Sequence, residues 1–312
     1  MPQKLRPKDY LVTGEGLHFA VVLAGPEDGR IIASLRYLKT RGGVRKFDTP
    51  GALDFLKSRY PRYLFFSRRL GAETTAVPLS AISRICRPEQ TVTGLLQRSP
   101  EDTLLKKART VLEYFTRNGL DANVLGITGS LMLGFYRPDS DIDLVVYERE
   151  AFYTARKLVR QATSDQVFSQ LDHATWLETY RRRGCALSFD EYLFHEKRKD
   201  NKFLYHGTKA DLSFQPENED SYPPRPPVTK MGIKTLRAKI TDDRYIFDYP
   251  ARYGVDHDDI KVILAYTATY YGQAFRDETV EAKGMIECDA DNKKYMVIGT
   301  SREAPQEYLK KL

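Results

Sequence analysis

The chain has 312 residues, 41% hydrophobic and 29% charged, the composition of a soluble globular protein long enough for two or three domains. No apolar run approaches bilayer-spanning length, MPQKLRPKDY lacks the apolar core of a secretion signal, and Cys86, Cys185 and Cys288 are widely spaced. These features argue against membrane, secreted and zinc-scaffold classes and lead us to expect a cytoplasmic protein with reduced thiols. Lys and Arg outnumber Asp and Glu by 49 to 42, and part of the +7 surplus is clustered at Arg68-Arg69, Lys106-Lys107, Arg181-Arg182-Arg183 and Lys197-Arg198-Lys199. Such clusters fit a solvated face or a polyphosphate or nucleic-acid partner.

Residues 1–90 read as a β-rich N-terminal domain. Leu17–Ala24, Arg30–Leu38 and Tyr63–Phe66 are short apolar runs punctuated by Gly14–Gly16, Pro26–Gly29 and Arg41–Gly43. A helix is expected from Ser99, with Ser99 as N-cap, Pro100 in its first turn and Leu104, Leu105, Ala108, Val111, Leu112 and Phe115 at helical spacing up to Gly119. Next come a strand (Val124–Thr128), a tight turn with a short helix (Gly129–Phe135) and a second strand (Ile142–Tyr147). Helical patterns occupy roughly 148–182 and 189–199, and two short strands, 203–205 and 210–214, close a central domain at 91–215. PENEDSYPPRPP (216–227) reads as a linker. Residues 228–312 read as a small β-barrel domain with strands at 235–240, 245–249, 260–271, 278–288 and 294–300, an OB-like fold being one option among several.

The most informative stretch is GITGSLMLGFYRPDSDIDLVVY, Gly126–Tyr147. Ten residues separate Gly129-Ser130 from Asp141-x-Asp143. Alternate residues of a strand share a face, so Asp141 and Asp143 point one way while Ile142 and Leu144 enter the core. Paired carboxylates repel unless a cation lies between them. A Gly-Ser turn between strand and helix brings backbone N–H groups towards an anion. Together these are the parts of a metal-dependent nucleotide transfer.

The segment resembles the signature of the DNA polymerase beta-type nucleotidyltransferase superfamily, and the layout around it is more loosely similar to uncharacterised, largely archaeal predicted nucleotidyltransferases. The resemblance is close over about twenty residues and extends in element order over roughly 95–215. It implies an α+β fold, a central mixed sheet with flanking helices, here preceded by the β-rich domain and followed by the barrel. It also implies transfer of a nucleoside monophosphate from an NTP such as ATP to a hydroxyl, with two Mg2+ ions (Mn2+ as an alternative). Asp141 and Asp143 then bind metal and catalyse. Asp211 in KADLSF best matches the family's third carboxylate, binding the catalytic metal and helping to deprotonate the acceptor. Asp190 is its rival, though it reads as the first turn of a helix after Ser188, and Asp139 reads as a loop or capping residue. Gly129, Ser130, Arg137, His195, Arg198 and Lys202 are the candidate triphosphate contacts. His173 and His206 have no ligand spacing.

The flanking β-domains and basic clusters favour RNA, in a tRNA-like form, as acceptor. Tyr266, Tyr270, Tyr271, Phe275 and Lys234–Lys239 offer aromatics and cations for a strand, or are barrel core and surface. The alternatives are transfer to a protein or small-molecule hydroxyl, and a non-catalytic nucleic-acid-binding protein on the same scaffold. A glycosyltransferase would need a nucleotide-binding α/β half upstream, which residues 1–90 do not supply.

Overall fold

A computed structural model of the chain describes residues 5–216, 228–300 and 304–312. The expected linker at 216–227 lies, apart from Pro216, outside the described residues. The fold is mixed α+β, with seven α-helices and three sheets among the described residues. The chain divides into two compact units, Met1–Leu158 with Tyr205–Arg225, and Val159–Leu204 with Pro226–Leu312.

In the first unit, β1 (Tyr10–Thr13), β2 (Leu17–Glu27), β3 (Arg30–Thr40), β4 (Gly43–Lys46), α1 (Thr49–Arg59), β5 (Leu64–Ser67), β6 (Ala72–Pro78) and β7 (Ile82–Cys86) follow in chain order. The sheet runs β5-β6-β3-β2-β1-β7, with β4 paired to β3. Asp28 and Gly29 both have positive φ, the two-residue hairpin turn that matches strand twist, and they set Glu27 opposite Arg30. Leu17, Phe19, Val21, Ile31, Ala33 and Leu35 fill the sheet's inner face, and Ala52 and Leu56 of α1 close over it. Each large side chain so buried contributes about 1.5–3 kcal/mol. The sequence reading of this region as mostly strand missed α1. Asp48-Thr49-Pro50-Gly51 looks like a turn, yet Asp48 caps the helix by accepting from the Gly51 N–H at 2.9 Å.

Next come α2 (Pro88–Gln97) and α3 (Thr103–Arg117). The helix expected from Ser99 starts four residues later. Asp102 is its N-cap, accepting from the N–H groups of Leu104 and Leu105 at 2.9 and 3.0 Å. A carboxylate reaching two N–H groups outcompetes the Ser99 hydroxyl. Of the expected stripe, Leu104, Ala108, Val111, Leu112 and Phe115 are buried, and Leu105 is half-buried. Beyond it lie β8 (Leu125–Ile127), α4 (Gly129–Leu133), β9 (Ile142–Val146) and α5 (Arg149–Ser164). Then α6 (His173–Arg183), α7 (Phe189–Arg198) and β10 (Lys202–Tyr205) lead to β11 (Thr208–Phe214). β9 pairs antiparallel with β8 and parallel with β11. A parallel neighbour requires a long crossover, which the three helices provide.

In the second unit α6 is capped by Asp172 and ended by left-handed Gly184, and α7 opens with a reciprocal capping box between Ser188 and Glu191. Beyond the proline-rich segment are β12 (Val228–Tyr245), β13 (Ala251–Asp256), β14 (Ile260–Ala265), β15 (Thr279–Asp289), β16 (Lys294–Ile298) and β17 (Tyr308–Lys311). Pairing runs β12-β13-β14-β16-β15 and returns from β15 to β12, with β14 and β16 parallel. Residues 245–249, expected as a strand, are instead the end of β12 and its connection to β13, and the strand expected over 260–271 ends at Ala265. Gly284 permits close crossing inside this circuit: a Cβ there would lie 2.4 Å from the Val297 carbonyl oxygen.

Candidate active site

The turn after β8 is built around Gly129. Its φ is +70°, and a Cβ at this position would lie 2.5 Å from Oδ2 of Asp143, so both the backbone conformation and the carboxylate demand glycine. The Thr128 N–H donates to the Asp143 carbonyl at 3.0 Å, fixing the turn to β9. α4 has only five residues and ends at left-handed Gly134. Its dipole is correspondingly small, so the turn's value lies in close backbone approach. Half-buried Ser130 follows Gly129. Phe135 then packs edge-on against His18 and Tyr37, with centroids 5.0 and 5.6 Å away. Arg137 is exposed in a turn closed by its N–H to Ser140 Oγ at 2.8 Å, and exposed Asp139 lies in the same turn.

β9 and β11, with the residue that precedes β9, bring three carboxylates together. The parallel register sets Asp211 opposite Asp143, while Ile142, Leu144, Ala210, Leu212 and Phe214 are buried on the other face. Asp141 stands one residue before β9 and is brought to the same cluster by a lysine that it shares with Asp211. Lys209, two residues before Asp211, completes a square. Its Nζ donates to Asp211 Oδ2 at 2.6 Å and to Asp141 Oδ2 at 3.0 Å. Burial pulls the Lys209 ammonium down, but Asp211 and Asp141 outweigh it and hold the group above its ordinary value. The Asp143 carboxyl is pushed up to about 6, by burial first and then by Asp211 and Asp141, against the pull of Lys8 and Lys209. Asp211 Oδ1 is buried without a hydrogen-bond partner. Among the described residues no three carboxylate, imidazole or thiol groups are already drawn together as a metal cage. Lys209 is the cation between Asp141 and Asp211.

His195, Arg198 and Lys202 belong to the second unit, and each has a protein partner there. His195 is 2% exposed, its Nδ1 lies 2.9 Å from the Gln273 carbonyl oxygen, and its Nε2 faces the Lys311 N–H at 3.3 Å. A backbone N–H donating to Nε2 makes Nδ1 the protonated nitrogen, so the ring is neutral with both nitrogens engaged. Burial, with Lys199 second, lowers its pKa to about 4. Arg198 pairs with Glu278, and Lys202 with buried Glu196. Asp190 stands in the first turn of α7. Lys209 is the site residue that sequence reasoning passed over. Its signal was present, since Lys209 and Asp211 are two apart in a strand.

Residues 108–225 match the family model described as a nucleotidyltransferase domain. Over almost its whole length the chain is similar to an uncharacterized protein of Methanocaldococcus jannaschii, 28% identical over 337 aligned positions covering 98% of this chain and 99% of that one. No solved structure matches the chain. The family match spans the glycine turn, β9 and β11. The chain therefore carries, over residues 108–225, a nucleotidyltransferase domain, the family to which Gly129-Ser130 and the paired aspartates had pointed.

Proposed function

We propose that the protein transfers a nucleoside monophosphate from an NTP to a hydroxyl of RNA, with Asp141, Asp143 and Asp211 holding two Mg2+ ions. The observation that carries this reading is the in-register pairing of Asp143 with Asp211, with Asp141 joined to Asp211 through Lys209. The donor set suits a hard divalent cation: the carboxylates of Asp143 and Asp211 are paired in register beside Asp141. Burial first and then its acidic neighbours hold Asp143 up near pKa 6, and Asp211 has an orphaned buried oxygen. When bound, such ions neutralise the triphosphate and lower the pKa of the attacking hydroxyl.

The chain's own residues have separate tasks. The Gly129 backbone, Ser130 and Arg137 meet the phosphates. Lys209 orients Asp141 and Asp211 and limits their repulsion. Asp211 receives the acceptor proton as the acceptor oxygen bonds to the α-phosphorus. The bond from that phosphorus to the bridging oxygen breaks, and pyrophosphate leaves.

An RNA acceptor is supported by the second unit. Its circuit of first, second, third, fifth and fourth strands has the order of an OB fold, a frequent single-strand binder. Tyr245 is exposed, with the guanidinium groups of Arg244 and Arg252 5.6 and 5.5 Å from its ring centre. Exposed Lys230 and Lys234 flank exposed Met231 and Ile233 on β12. Tyr270, by contrast, is core, its hydroxyl donating to the Glu307 carbonyl at 2.8 Å, so stacking falls to other rings. No helix among the described residues is long and apolar enough to cross a membrane. The free thiols of Cys86, Cys185 and Cys288 suit a reducing compartment, and we place the reaction in the cytoplasm.

The test is incubation with Mg2+ and each α-labelled NTP in turn, with total RNA or total protein as acceptor. Label is expected in RNA and absent with Asp143→Ala. Label confined to protein would overturn the acceptor, and pyrophosphate release untouched by Asp141→Ala or Asp143→Ala would overturn the site.

A further inference from the structure

The N-terminal sheet is fastened to both ends of the Gly129–Asp143 segment within the first unit. At one end the Thr128 hydroxyl donates to the Lys8 carbonyl at 2.9 Å. At the other, the Arg6 guanidinium lies 3.9 Å from the ring centre of Tyr147, just after β9, and forms a 2.7 Å ion pair with Glu89. Between them Phe135 is gripped by His18 and Tyr37, with the Lys39 ammonium 5.7 Å from its ring centre. The short stretch Arg6–Asp9 thus runs beside the glycine turn.

Lys8 stands in that stretch with φ +73°, a left-handed conformation that costs a lysine about 1–2 kcal/mol. The surrounding bonds hold it there. Its N–H donates to the Val21 carbonyl at 3.0 Å, the Val21 N–H donates to the Asp9 carbonyl at 2.8 Å, and Asp9 itself is fully buried. Strain maintained beside a cluster of carboxylates points from geometry to function. Lys8 is half-buried, and its carbonyl is held 2.9 Å from the hydroxyl of Thr128, the residue before Gly129.

We propose that Lys8 binds the phosphate chain of the incoming nucleoside triphosphate, which makes the N-terminal sheet part of the active site. This rests on the nucleotidyltransfer reading above. Charge balance is the reason the polyphosphate needs it. Three carboxylates and a triphosphate carry about one more negative charge than two divalent ions, Lys209 and Arg137 supply, whereas with a monophosphate the cations are already in excess. One further cation at the glycine turn removes the deficit for the triphosphate and answers no need of the monophosphate.

The experiment measures binding of the non-cleavable α,β-methylene analogue of each nucleoside triphosphate, and of the matching monophosphate, by calorimetry with Mg2+. The full chain is compared with Lys8→Met, Lys8→Gln and Lys8→Arg. Both neutral variants are expected to weaken the triphosphate analogue about tenfold or more and to change monophosphate affinity by less than about twofold, with Lys8→Arg restoring most of the loss. Thermal unfolding of each variant identifies any that fails to fold, and two neutral side chains keep the comparison intact. Unchanged or tighter triphosphate binding in a folded neutral variant would mean that Lys8 only offsets the carboxylates, and the inference fails while the transferase reading stands. Equal losses for both ligands overturn it too. A parent chain that binds no triphosphate analogue overturns the transferase reading, and the inference with it.

Discussion

Two clusters in this chain contain the same chemical groups and have opposite characters. In the first unit Asp141, Asp143 and Asp211 share Lys209, with Asp211 Oδ1 unsatisfied and the Asp141 and Asp211 side chains 38% and 31% exposed. In the second, Glu196 has both oxygens on ammonium groups, Lys199 and Lys202, and all three side chains are at most 8% exposed. Lys199 also donates to the Thr269 carbonyl at 2.7 Å. Burial opposes charge on Glu196, yet Lys199 and Lys202 hold its carboxyl well below the usual range. Lys199 is pulled down by burial to about 8, with Glu196 opposing the fall. A cluster whose charges are closed off by protein holds a fold together. One left with surplus negative charge and an open face is suited to receive a cation.

The contrast is broken most severely by removing one acid from each. Asp143→Ala is expected to lower nucleotide transfer about a thousandfold or more with the unfolding transition little changed, as read by labelled-product assay and denaturation on the same preparation. Glu196→Ala is expected to do the reverse. Stranding two buried ammonium groups costs on the order of 3–5 kcal/mol, visible as a lower urea midpoint of the full chain. If Glu196→Ala left stability untouched, the structural reading of the second cluster would fail.

Acid sharpens the comparison through His195, which neighbours that cluster on α7. Its pKa falls from 6.5 to about 4 on folding. The unfolded chain therefore takes up a proton below pH ~6.5 that the folded one refuses until pH ~4. The stability associated with its neutral ring is present above the upper value and lost as pH falls through the lower, on the order of 3 kcal/mol across the window. A urea series at stepped pH should show that slope, and His195→Gln should flatten it. The smallest effect is on metal. Mg2+ at about ten times its Kd should stabilise the chain by about 1.4 kcal/mol. Asp143→Asn should abolish that gain, and EDTA should reverse it in the parent.

How much of this could be read beforehand follows distance along the chain. Asp211 was legible because alternation in ADLSF is local, and the glycine turn because Gly129 and Ser130 sit between two apolar runs. The apolar stripe of α3 was legible for the same reason, though its first residue was not, because Ser99 and Asp102 are both credible caps and only the folded backbone selects between them. His195 looked like part of a basic helix end. Its partners Gln273 and Lys311 are 78 and 116 residues away, and no spacing near position 195 reveals them. Lys8 is the extreme case, tied to Thr128 across 120 residues. Local pattern identifies chemistry that adjacent strands assemble. It is blind to groups that a separate sheet delivers.

The strand circuit of the second unit bears on how it behaves in company. β15 is paired to β12 along one side, while on the other Met285–Cys288 meets β16 and Val280–Lys283 meets β17. β17 thus seals the stretch where β16 turns away. A sheet sealed in this manner offers no unpaired row of N–H and C=O groups along β15 for another chain to zip onto. The edge passes instead to the four residues of β17, and a truncation at Tyr308–Lys311 would uncover Val280–Lys283 of β15 for another chain to pair with.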